Sequence, residues 1–216
     1  MYETLGLWRA LWLSPRWQVR KEYIVLAKDL RTETPKLLTE TQVPVRWTVL
    51  TEAEIPSLRA ANPALSETEM RRRWQEGQEC VGGWVDDSLA HYRWDTWTRT
   101  YLPYLKRDFE PREGDALVFD AFTHRAFRGK GIHSLSTALA LDRARQRGFA
   151  RSITMVAWWN RAALRVVFEK AKRDVVGTVG YWQLGTATKH FVSGSVRFCA
   201  LGHVYVDRPA FGRVAS

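Results

Sequence analysis

Residues 115–148 constrain the fold of this chain more than any other stretch. Asp-Ala-Leu-Val-Phe-Asp-Ala-Phe over 115–122 reads as a strand. Residues 132–147 read as a helix, with Ile132, Leu135 and Leu139 on one face and Gly148 at its end. The turn between them ends in Arg128-Gly129-Lys130-Gly131. Two glycines let the backbone turn tightly and approach a ligand with no Cβ in the way. The first N–H groups of the helix have no partner within it, and with the helix dipole they make an anion site suited to phosphate. Arg128 and Lys130 bring cations to that turn and Ser134 brings a hydroxyl. The turn matches neither GxxxxGK[ST] nor GxGxxG.

Elsewhere the periodicity alternates between strand and helix. Residues 18–30 have a β-rich centre, Tyr23-Ile-Val-Leu26, and 45–50 alternate as a strand. Helices open at Thr51 and at Ser66, the latter with Glu69 at capping-box spacing. Residues 80–85 and 89–94 form a hairpin turning at Asp86-Asp87-Ser88, while 98–111 are aromatic and irregular. A strand follows at 152–159 and a helix at 160–172, with Leu164, Phe168 and Ala171 on one stripe; 175–184 and 192–206 read as strands. Residues 31–44 carry two prolines and read as a linker. Residues 1–44 are therefore expected to be an N-terminal extension packed on a domain of residues 45–216. Leu5, Trp8, Leu11 and Trp12 predict a short amphipathic helix within it, either packed on the core or in peripheral contact with a membrane.

With 45% hydrophobic and 26% charged side chains in 216 residues, the chain is neither disordered nor collagen-like. Its net charge of +10 is uneven: residues 125–173 hold twelve basic side chains against Asp142 and Glu169. Such a stretch is a solvated surface or a landing place for an anionic partner. Cys80, Cys199 and five scattered histidines make no disulfide framework and no metal pattern. A reducing, cytoplasmic setting without a metal is expected. No apolar run approaches the roughly 20 residues of a membrane span, and the first residues make a poor signal peptide.

The turn resembles the signature of the GNAT superfamily of CoA-dependent N-acyltransferases, Arg/Gln-x-x-Gly-x-Gly/Ala, here Arg128-Gly129-Lys130-Gly131-Ile132-His133. A second family segment, Asn-x-x-Ala-x-x-x-x-Tyr, is similar to Asn160-Arg-Ala-Ala163 through Phe168. The likeness spans about residues 45–186. It implies a mixed α/β fold whose largely antiparallel central sheet has splayed middle strands and flanking helices. It also implies acetyl-CoA or another acyl-CoA as co-substrate, bound within about residues 116–172. Phe122 and Thr123 would lend backbone groups to the pantetheine arm. Arg128, Gly129, Lys130, Gly131, Ile132, His133 and Ser134 would hold the pyrophosphate, and Asn160 would face the thioester. Asp120 falls at an acidic position of the family and is the candidate base.

Two positions depart from the pattern: His133 stands where Gly or Ala is usual, and Phe168 replaces a Tyr that protonates the departing thiolate. Phenylalanine has no proton to give; Tyr101 and Tyr104 are alternative donors. Each residue also has a plainer role: Asp120 as a structural carboxylate, Asn160 as a helix cap, Trp158 and Trp159 as cleft wall, Phe168 as core packing, Cys199 as a buried thiol. The implied activity is direct transfer of an acyl group, most simply acetyl, to the primary amine of a small molecule. Three alternatives stay open: a longer acyl group delivered by an acidic acyl carrier protein, a CoA-binding module with little catalysis, and a nucleic-acid-binding protein. The last lacks a recognition-helix or RNP-type motif, so nucleic acid is not expected. A homodimer is compatible with all of these.

Overall fold

The computed structural model describes residues 18–32 and 40–207. The amphipathic helix expected within the first fourteen residues, and the linker segment 33–39, lie outside the described residues. The chain opens with β1 (Gln18–Asp29) and β2 (Arg46–Leu50), then α1 (Ile55–Ala61) and α2 (Glu67–Gln75). The hairpin β3 (Glu79–Val85) and β4 (Ser88–Thr96) leads to the short strands β5 (Thr100–Leu102) and β6 (Arg107–Phe109). β7 (Asp115–Thr123), α3 (Ile132–Gln146) and β8 (Arg151–Ala157) follow, then α4 (Arg161–Arg165). The chain closes with β9 (Asp174–Leu184), β10 (Ala187–Gly194), β11 (Val196–Phe198) and β12 (Val204–Val206).

Eight strands form one sheet in the order β10-β9-β1-β8-β7-β4-β3-β2. β7 and β8 run parallel; the other neighbours are antiparallel. β1 therefore lies inside the sheet, with Tyr23 opposite both Ala157 on β8 and Val179 on β9. The expected boundary at residue 44 is corrected accordingly: residues 18–29 are a central strand, not part of an appendage. Consecutive buried residues Val25, Leu26 and Ala27 show why, because only a strand covered on both faces buries neighbours on both sides of its pleat.

Three further expectations change. Residues 98–111 are not irregular: β5 and β6 pair there and join β12 and β11 in a second, four-stranded sheet. The strand expected over 192–206 is broken into three, first at Gly194, whose φ is +65° and where a Cβ would meet the Val176 carbonyl oxygen at 2.5 Å. The helix expected over 160–172 is α-helical only through Arg165 and continues as one π turn, Val166–Lys170. The Ser66 cap forms as expected, its Oγ accepting from the Glu69 N–H at 3.3 Å.

The main core joins the helices to the sheet through Leu58, Met70, Trp94, Leu117 and Ile153. A second cluster seats the C-terminal half of α3, through Leu141 and Ala144, on Leu30 and Ala116. α3 is thereby fixed against the middle of the sheet, with its N-terminus beside the ends of β7 and β8.

Candidate active site

β7 and β8 pair only from Asp115–Arg151 to Val118–Thr154. Beyond that point each strand follows its other neighbour: β7 stays with β4 out to Thr123–His91, and β8 stays with β1 out to Ala157–Tyr23. The sheet thus opens as a V at its centre. On β7 the opening coincides with an irregular register opposite Tyr92 and Trp94, and with Asp120, whose φ is +46°. The even alternation of Val118, Asp120 and Phe122 read from the sequence is broken there.

The mouth of the V leads into a cleft of about 530 Å³. Every residue assigned to coenzyme binding from the sequence lines it except Lys130. Lys130 lies outside the lining, its Nζ 5.3 Å from the Phe127 ring centroid. Gly129 and Gly131 adopt φ of +81° and +82°. A Cβ on Gly131 would meet the Glu40 carbonyl oxygen at 2.7 Å, whereas one on Gly129 would meet nothing within 4 Å. The residues at 40–42 close on the turn, and the Gln42 N–H donates to the Lys130 carbonyl at 3.1 Å. Gly131→Ala is expected to lose about 1–2 kcal/mol from its left-handed backbone, and more from the clash. Gly129→Ala should lose the backbone part alone. Denaturant titration of both variants checks the order; equal losses would count against this packing.

Around the turn, Ile132 packs into a small core with Val85 and Ala90, so its backbone rather than its side chain faces the cleft. Arg128 donates from Nε to the Thr123 carbonyl at 3.1 Å, and the Thr123 hydroxyl lies 2.9 Å from His91 Nδ1. Asn160 caps α4 through a 3.2 Å hydrogen bond from the Ala163 N–H. The His133 ring lies 5.7 Å from that of His91. Burial and the nearby Arg93 charge push His133 down to about 4, so it is a neutral imidazole at pH 7 rather than an added cation.

Behind the V a second cavity, of about 200 Å³, shares Ala121, His133, Asn160 and Ala163 with the cleft. Asp120, Tyr23 and Tyr104 line it. Asp120 is held by an ion pair: Arg73 donates from Nη2 to its Oδ2 at 2.6 Å and from Nε to Glu69 at 2.9 Å. The rings of Tyr23 and Tyr104 are 5.0 Å apart, and neither hydroxyl bonds to a described protein group. Burial, then the Asp120 charge, pushes the Tyr104 phenol well above its ordinary value. Burial, then Tyr181 and Asp120, pushes Tyr23 up to about 12. Both are protonated at neutral pH, the form that a proton donor needs.

The other aromatic candidates fall elsewhere. Phe168 is 37% exposed on the π turn and lines neither cavity, so it is not core packing. Tyr101, Trp158 and Trp159 are exposed and line neither cavity, although Trp159 lies 5.8 Å from Tyr23. Cys199 is only partly buried. Tyr23 was missed in the sequence because β1 was read as part of an extension; the alternation around it is a strand signal but not a position signal.

Among the described residues, Arg143, Arg145, Arg147, Arg151 and Arg165 of the basic stretch find acidic partners in three dimensions. Arg143 and Arg147 both reach Glu79, at 2.5 Å and 2.7 Å, and Arg145 reaches Asp142 at 3.2 Å. Arg151 pairs with Asp115 inside the protein. Arg125, Arg128, Lys130, Arg161 and Lys170 carry no ion pair among the described residues, and Arg128 and Lys170 line the cleft. Arg128 and Lys170 are thus the cleft-lining cations that carry no ion pair, and the cations on the far end of α3 are spent within the fold.

Strand order, central V and helix-terminal turn together define the architecture of the GCN5-related N-acetyltransferases, and the protein has that fold. A GCN5-related N-acetyltransferase from Sphaerobacter thermophilus superposes with a TM-score of 0.55 at 13% identity, over 88% of this chain and 57% of that one. One from Kribbella flavida gives 0.50 at 17% identity, over 84% and 65%. A GCN5-related glucosamine N-acetyltransferase region of a fungal multi-domain β-N-acetylglucosaminidase gives 0.54 at 14%, over 88% and 23%. The chain spans less than two thirds of each of these three. No protein-family model and no curated protein matches it. Among the described residues no helix is long and apolar enough to cross a membrane.

Proposed function

We propose that the protein is an N-acyltransferase that moves an acyl group from coenzyme A to a primary amine. The observation that carries this reading is the continuity of the cleft. It runs from the N-terminus of α3 and Arg128, past Phe122 and Thr123, to the mouth of the V at Asn160. An anion at one end and a flexible arm leading to the sheet centre suit one ligand. The open space at Gly129 fits close approach of a phosphate to the backbone.

An acyl thioester bound there supplies an electrophilic carbonyl and a good leaving group. The residues of this chain would do the rest. Backbone groups of β7 and β8 that have left the ladder face the gap and can polarise the carbonyl. Asp120 takes the proton of the attacking amine, directly or through water, as the C–N bond forms. Tyr104 gives its proton to the sulfur as the C–S bond breaks, the role vacated at Phe168. Arg73 holds the Asp120 carboxylate in place through its charged hydrogen bond.

Release of free thiol with a panel of amines tests the activity. Turnover with any amine supports it; thioester binding without turnover on any amine would reduce the protein to a binding module. Asp120→Asn should lower turnover about 100-fold, the range for a lost proton acceptor, and should destabilise by about 2 kcal/mol, because Arg73 loses a charged hydrogen-bond partner. Unchanged turnover would leave Asp120 as a structural partner of Arg73.

A further inference from the structure

One end of the second sheet gathers a thiol, an imidazole and carboxylates. β12 pairs with β11 on one side and, in parallel, with β6 on the other, Val204 lying opposite both Phe198 and Phe109. The Glu110 N–H donates to the Val204 carbonyl at 2.8 Å, so the residue after β6 is held beside the start of β12. β11 turns into β12 through Cys199-Ala-Leu-Gly-His203. Two backbone hydrogen bonds close that turn: the Cys199 N–H donates to the His203 carbonyl at 2.9 Å, and the Gly202 N–H to the Cys199 carbonyl at 2.8 Å. Gly202 has a φ of +78°, which glycine adopts at no steric cost. The two ends of the turn therefore face each other, and Glu110 meets them from a distant strand. Cys199 Sγ, a ring nitrogen of His203 and a carboxylate oxygen of Glu110 all lie within 4.8 Å of one another. None of the three residues lines either cavity of the candidate active site.

Thiolate, imidazole and carboxylate together are zinc donors, whereas calcium and magnesium take oxygens. Donor atoms bound to a tetrahedral zinc stand roughly 3.3–3.8 Å apart, given bond lengths of about 2.0–2.3 Å. His203 Nδ1 and Glu110 Oε2 are already at 3.3 Å. The Glu110 side chain is 46% exposed, so it is free to turn its carboxylate onto an ion. The other ring nitrogen has its own carboxylate: Asp108 Oδ2 lies 3.6 Å from His203 Nε2. A carboxylate behind a metal-bound imidazole fixes the tautomer that leaves the near nitrogen free to bind. Arg107 brings one positive charge to the turn, its Nη1 3.4 Å from the Gly202 carbonyl, against two carboxylates and a thiolate. Cys199 and His203 alone fall short of a zinc pattern, and the third donor shows only once β6 lies beside β12.

We infer that Cys199, His203 and Glu110 hold one zinc ion, with water at the fourth position and Asp108 behind the imidazole. Binding displaces the thiol proton of Cys199 to solvent. The ion ties the β11–β12 turn to β6 and so braces the second sheet. The competing arrangement is a protonated imidazole held between Asp108 and Glu110, which needs neither metal nor thiol.

Cobalt(II) is the coloured stand-in for zinc that separates the two. The full chain, without an affinity tag, is stripped with a chelator, kept reduced and titrated with Co2+ and then Zn2+. One equivalent of Co2+ should give a thiolate-to-metal charge-transfer band and the intense d–d bands of a tetrahedral site, and one equivalent of Zn2+ should abolish them. Zinc should bind with a Kd of about 1 μM or tighter and raise the Tm. Cys199→Ser should remove the charge-transfer band, and both it and His203→Asn should weaken zinc about 100-fold or more. Asp108→Asn should weaken it roughly 10–100-fold, the cost of losing a partner behind a ligand. No thiolate band in the unmodified protein would overturn the inference, and so would a band that survives in Cys199→Ser. If the variants fail to fold, alkylation of Cys199 in the unmodified protein decides: zinc should protect the thiol, and equal rates with and without zinc would overturn the inference.

Discussion

Asp115→Ala should destabilise the protein by about 4 kcal/mol, the cost of leaving one half of a buried ion pair uncompensated. Asp115 and Arg151 face each other across the parallel strands at the closed end of the V. The pair is bidentate, with Nε to Oδ1 at 2.9 Å and Nη2 to Oδ2 at 2.7 Å. Both side chains are shielded from solvent, at 8% and 1% exposure, so water cannot replace the lost partner. Arg151 also donates to the Val206 and Asp207 carbonyls, each at 3.1 Å, and so ties the last described strand to the sheet centre. For a chain of this size the loss corresponds to a fall in Tm of roughly 10 °C. Asp115→Leu combined with Arg151→Met should recover much of it, since no buried charge then remains. A loss below about 1 kcal/mol for Asp115→Ala would show that the pair is not buried as described.

Tyr104→Phe should lower turnover about 100-fold while leaving stability nearly unchanged. General acid catalysis contributes 100-fold or more where the leaving group needs a proton, and the Tyr104 hydroxyl makes no protein hydrogen bond that folding would lose. Its pKa gives a second readout. Burial and Asp120 raise it well above the ordinary phenol value, so the protonated form persists through pH 10 and the acid is not lost there. The alkaline limb of the kcat profile should therefore lie above pH 10. Tyr23→Phe is the matched comparison, because its ring shares the cavity. Full turnover in Tyr104→Phe with loss in Tyr23→Phe would move the assignment to the strand residue, and full turnover in both would leave the thiolate to depart without an acid.

Much of this site is legible in the sequence because its signals are local. The strand before the turn, the two glycines, the helix after it and the Asn160 cap all follow from short-range chemistry, and the sheet forms around them as expected. What the sequence hides is decided between distant segments. Nothing near Tyr23 says that β1 enters between β8 and β9. Nothing near Arg73 says that it reaches Asp120, 47 residues away. The cations on α3 look like surplus because Glu79 lies far from them in sequence. The π turn changes which side chains share a face and carries Phe168 off the stripe it would share with Leu164 in a regular helix, and nothing in the apolar spacing marks where that turn begins.

We propose above all that the cleft at the N-terminus of α3 holds coenzyme A. Titration of the unmodified protein with CoA, followed by calorimetry and by the shift in Tm, tests it most directly. Binding should be saturable and one-to-one, with a Tm that rises with ligand concentration. Gly131→Ala should bind at least tenfold more weakly. Absence of binding and of any Tm shift, with CoA and with every acyl-CoA tried, would contradict it.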